Sequence, residues 1–76
     1  MLEIGFKYKS PRMEKTFDIF HYDKARSDRP FVGISEDGHI EFFDSNGKDE
    51  WFECGGHWYA LDLTTKQPAS VKLDFR

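Results

Sequence analysis

Cys54 and His57 flank a glycine pair, Gly55-Gly56, inside the stretch WFECGGHWYALDL at positions 51 to 63. A glycine pair suits a two-residue hairpin loop, whose central positions can both require positive φ. In such a hairpin Cys54 faces His57 with Cβ atoms about 4.5 to 5.5 Å apart, and a neighbouring imidazolium favours the reactive thiolate. The chemistry on offer is a thiolate-imidazole nucleophile or half of a metal site. Neither is completed by the rest of the chain. A structural zinc site takes four ligands, whereas the sequence has one Cys and three His, with His21 and His39 at spacings that match no ligand pattern. A nucleophile also needs a substrate pocket, which so small a domain rarely encloses. The pair reads as a hairpin end with a semi-buried thiol; no catalytic residue, no metal and no cofactor is expected.

A calcium loop fails on its first ligand. Aligning Asn46-Gly47 with the loop pattern puts Asp44 and Glu53 at acidic positions but Phe42 where the first aspartate must stand, and a hard cation needs that oxygen.

The opposite face of the same hairpin carries more. With Gly55-Gly56 as the loop, Phe52, Cys54, His57, Tyr59, Leu61 and Leu63 share the better core face. Trp51 and Trp58 become diagonal neighbours on the other, framed by Asp49, Glu53 and Asp62. Two tryptophans there are either a second layer of core or an exposed aromatic patch with an acidic rim. Trp is favoured at the centre of binding patches. The expected function is therefore a non-enzymatic protein-binding module, an accessory or inhibitory protein. Trp51 and Trp58 would be its anchors, and Asp49, Glu53 and Asp62 would guide a partner with a basic patch. The alternative is a small β-barrel that binds single-stranded nucleic acid, with Lys7, Lys9, Arg12 and Lys15 around the first turn and Tyr8 for stacking.

Composition favours the first reading. The 76 residues carry 11 Lys and Arg against 14 Asp and Glu, a net charge of −3 spread along the chain. No basic footprint for a nucleic-acid backbone is visible. A lone cysteine makes no internal disulfide, MLEIGFKYKS lacks the apolar run behind a basic start that marks a signal peptide, and no segment has the apolar length to span a bilayer, so a cytoplasmic protein is expected. Aromatics reach 17%, enough buried area per side chain to argue against disorder.

The elements that must position these residues are mostly of period two. In LEIGFKY, Leu2, Ile4, Phe6 and Tyr8 alternate with Glu3, Gly5 and Lys7, as in a strand with one buried face. FVGISEDGHIEFF reads as a hairpin closed by Glu36-Asp37-Gly38 with Gly38 left-handed. Ile34 then faces Ile40 and Val32 faces Phe42 on an apolar face, and Phe31, Gly33, Ser35, His39, Glu41 and Phe43 form a mixed one. DSNGK is a turn by composition. Residues 10 to 28 admit a short helix capped by Ser10-Pro11, but TFDIFHY alternates at Phe17, Ile19 and His21 and is read as a strand, followed by the polar connection DKARSDRP. TTKQPAS is expected to break the pattern before a last strand at VKLDF. The sum is one domain, mainly β: a small antiparallel barrel or sandwich of six or seven short strands, SH3-like in shape. Its oligomeric state is not legible.

Overall fold

A computed structural model describes residues 1–48 and 60–69. Within them the chain is mainly β. The strands are β1 (Phe6–Ser10), β2 (Lys15–Tyr22), β3 (Phe31–Ser35), β4 (Ile40–Phe43) and β5 (Asp62–Pro68). They form one antiparallel sheet in the order β4-β3-β2-β1-β5. None of the described residues is helical, and none lies in a helix long and apolar enough to cross a membrane.

The β3–β4 hairpin has the register its sequence predicts. Val32 pairs with Phe42 and Ile34 with Ile40; Gly38 sits at φ +86°, and Ser35 N–H bonds the His39 carbonyl at 2.9 Å. Burial does not follow the apolar face. Phe43 is fully buried, and Ser35, Phe31 and Val32 nearly so, whereas Ile40 is 49% exposed, so the mixed face enters the core and, of the apolar face, Val32 is covered as well. Gly33 explains this: a Cβ there would meet Phe43 Cε2 at 3.0 Å, Ile19 Cδ1 at 3.1 Å and Phe17 Cβ at 3.2 Å. The missing side chain lets the aromatic rings close over the strand.

Residues 10 to 28 form no helix. Ser10 ends β1, paired with Lys15, and the turn between them closes at Glu14 with φ 54°. The strand expected over TFDIFHY is present, with Phe17 and Ile19 fully buried. A bulge between Ile19 and His21 then breaks the alternation and leaves His21 exposed. The DKARSDRP connection is polar and turns on Asp23, which accepts from Ala25 and Arg26.

Two further expectations need correction. The first strand starts at Phe6, because Gly5 takes φ +88° and donates its N–H to the Ile19 carbonyl at 2.8 Å. This turn swings Ile4 out to 51% exposure while Leu2 and Tyr8 stay buried. TTKQP, in turn, belongs to β5 and does not break the pattern. Its β-branched threonines suit an edge strand, and Pro68, which has no N–H to offer, stands at the strand's end opposite Phe6. The VKLDF strand lies outside the described residues.

The sheet is open, with β4 and β5 as its edges. Beyond the strands, the segment after β4 meets the one before β5: Lys48 forms a bridge with Ala60, and Leu61 N–H reaches the Gly47 carbonyl at 2.8 Å. The expected turn at DSNGK makes this contact; its Asp44 Oδ1 accepts the N–H groups of Asn46 and Lys48. Leu2, Tyr8, Phe17, Ile19, Phe31, Phe43 and Leu61 pack together as one core.

Candidate functional site

Asp62 is the member of the proposed aromatic and acidic patch that falls within the described residues. Trp51, Trp58, Asp49 and Glu53 lie outside them, as does the Cys54-Gly55-Gly56-His57 turn. Asp62 opens β5 opposite Lys9. Its Oδ1 accepts the backbone N–H of Thr64 at 3.0 Å and the Thr64 hydroxyl at 2.6 Å. The hydroxyl bond, then the N–H, holds the carboxyl below its ordinary value. The Thr65 hydroxyl donates to the Asp62 carbonyl and accepts from Lys9 N–H, stitching the irregular stretch where Lys7 pairs with Gln67 but Lys9 with Asp62. Asp62 is thus an ionised group fixed in place at the sheet edge.

A second polar constellation gathers where the start of β2 meets the β3–β4 loop. Lys15 Nζ lies 2.9 Å from Asp37 Oδ2 and 3.0 Å from His39 Nδ1, and His39 Nε2 lies 2.7 Å from Glu41 Oε1. The Ser35 hydroxyl donates to Asp37 Oδ1 and accepts the backbone N–H of His39 at 3.0 Å. An ammonium has no lone pair, so Lys15 is the donor to Nδ1; Nε2 then carries the ring proton and donates to Glu41. The Ser35 hydroxyl and then Lys15 hold the Asp37 carboxyl far below the usual range. Serine, histidine and carboxylates are all present, yet the imidazole faces Lys15 and Glu41 and the Ser35 proton goes to Asp37. The arrangement braces the β3–β4 loop against the start of β2. Beside it opens a cleft of about 390 Å³ lined by Glu14, Lys15, Ser35, Glu36 and Asp37, among others.

Sequence reasoning missed this chain of contacts. The i, i+2 pairs Ser35/Asp37 and His39/Glu41 are visible in the hairpin, but Lys15 joins them only through the register that places Phe17 opposite Ser35.

Of the basic residues of the nucleic-acid alternative, Lys7 and Lys9 line one groove with Thr16, Thr65 and Gln67, whereas Lys15 is committed to Asp37 and His39. Tyr8 is 1% exposed and its hydroxyl accepts Glu3 N–H at 3.0 Å. It is a core residue and offers no face to a base. Among the described residues no three His, Cys, Asp or Glu side chains converge as a metal site would require.

Comparison with protein-family models, curated proteins and solved structures gives no match.

Proposed function

We propose that this chain is a non-enzymatic protein-binding module, a small accessory or inhibitory domain. Trp51 and Trp58 anchor its partner, and Asp49, Glu53 and Asp62 steer a basic patch on that partner into place. The observation that carries the reading is Asp62. Its carboxylate is pinned by Thr64 and kept ionised at the edge of the sheet, as a guiding charge should be.

The Ser35, Asp37 and His39 geometry supports the non-enzymatic part, since each polar group there already serves another. The burial of Tyr8 takes away the stacking ring on which the single-strand alternative relied. Closure into an SH3-like barrel or sandwich of six or seven strands goes with this reading and is supported by the Lys48–Ala60 bridge between the segments that follow β4 and precede β5. A cytoplasmic setting goes with it too, because a single cysteine suits a reducing compartment.

Partner capture compared between the wild type and a Trp51→Ser, Trp58→Ser variant tests the proposal. Binding is lost in a variant that keeps its far-UV circular dichroism, and added salt slows association of the wild type.

A further inference from the structure

Partly exposed aromatic rings of this sheet are covered by cations of the chain itself. Arg26 Cζ lies 3.8 Å from the Phe42 ring centroid and Lys66 Nζ lies 4.4 Å from that of Phe6, both within cation–π range. Tyr22 is different. It is 46% exposed, and its ring meets that of Phe31 at 81° with centroids 5.0 Å apart, so the two rings make a corner.

That corner lines a cleft of about 380 Å³ that also includes Met1, with its α-amino group, and Ser27, Asp28, Asp44 and Ser45. Asp44 is held by its turn, with Oδ1 accepting two backbone N–H groups. The Asp28 carboxyl is lowered chiefly by backbone N–H groups, its own and that of Arg29. Arg29 Nη1 also reaches Asp28 at 3.1 Å and partly compensates its charge. Among the described residues no lysine or arginine lines this cleft. The exposed Tyr22 ring, backed by the buried Phe31 and set beside two carboxylates, matches a long cationic side chain, which can lay its stem on Tyr22 and its charge near the acids.

We propose that the cleft bounded by Tyr22, Phe31, Asp28 and Asp44 receives a lysine or arginine side chain of the protein partner. This rests on the reading that the partner is a basic protein, and it adds a second point of contact remote in sequence from Trp51 and Trp58.

The test is a titration of the ¹⁵N-labelled full chain with a peptide alternating lysine and glycine, and with its glutamate counterpart as control. The lysine peptide shifts the amides of Tyr22, Ser27, Asp28, Phe31, Asp44 and Ser45, and the glutamate peptide does not. Tyr22→Ala weakens binding by about two- to fivefold, while Tyr22→Phe, which keeps the ring, binds as the wild type does. Asp44→Asn keeps the oxygen that accepts the turn N–H groups and removes the charge; it also weakens binding and reduces the salt dependence, so the test survives if Tyr22→Ala does not fold. No shifts at these amides, equal shifts with the glutamate peptide, or unchanged affinity in Asp44→Asn would overturn the proposal. Shifts confined to the Trp51 and Trp58 indoles would overturn it too, while leaving the tryptophan interface standing.

Discussion

The ammonium of Lys15 donates to Nδ1 of His39 across 3.0 Å, tying the first residue of β2 to the residue that follows the β3–β4 loop. That contact dictates the tautomer. His39 should carry its ring proton on Nε2, facing Glu41 Oε1 at 2.7 Å. Long-range ¹H–¹⁵N correlation spectra of the neutral ring read this directly. Lys15→Met, which removes the donor, should raise the Nδ1–H fraction; a wild-type ring protonated on Nδ1 would contradict the geometry.

Gly33 lies against Phe43, Ile19 and Phe17, and a methyl group there would come within 3.0 to 3.2 Å of their side chains, so those side chains would have to give way. Gly33→Ala should cost about 1–3 kcal/mol, the usual range for overpacking a tight core. Urea unfolding followed by circular dichroism measures it, as a lower midpoint with an unchanged slope. A loss under about 0.5 kcal/mol, the scale of an ordinary surface substitution, would show that the rings do not close over the strand.

Glu14 holds a left-handed backbone, φ 54°, without being glycine. For an L-residue this conformation costs roughly 1–2 kcal/mol, and the added unfolded-state freedom of glycine returns part of the difference. Glu14→Gly should therefore stabilise the domain by about 0.5–1 kcal/mol, read as a raised urea midpoint.

Asp37 gives the pH dependence a sign. Bonding to Ser35 and then Lys15 places its folded pKa below its ordinary 3.8. The folded state therefore binds fewer protons than the unfolded one as the medium acidifies. Its contribution is fully present above the unfolded value and is lost as pH falls through the folded one. Asp62 shifts in the same direction. The urea midpoint should fall as pH drops below about 4, and Asp37→Asn should flatten that fall. Identical profiles for variant and wild type would contradict the assignment.

The local signals in the sequence carried the mainly β, antiparallel character and one hairpin register. Glu36-Asp37-Gly38 set both the loop and the Ile34–Ile40 register, because only one alignment pairs the apolar residues and Gly38 alone takes the left-handed position at no steric cost. Alternation failed where the decisive fact was a neighbour and not a period. It grouped Ile34 and Ile40 on one apolar face, yet which residues are covered depends on Gly33, beside which β2 brings Phe17 and Ile19. It ran a strand through Gly5, whose turn is fixed by the Ile19 carbonyl on another strand. β5 went unrecognised because an edge strand need not be apolar, and Thr64, Thr65, Lys66 and Gln67 carry no hydrophobic period. Tyr8 looked available for stacking because Lys7 and Lys9 flank it, although the same alternation that exposes them turns its ring inward. For the aromatic and acidic patch, composition and spacing named the residues, and Asp62 alone has its surroundings described.

The most direct measurement is capture of partners from a lysate with the tagged full chain, set against the Trp51→Ser, Trp58→Ser variant under the same salt, with circular dichroism of both. The account predicts that the variant stays folded and loses a basic protein that the wild type retains, and that raising the salt weakens the wild-type complex. A variant that unfolds, or a folded one that captures the same proteins as the wild type, would contradict it.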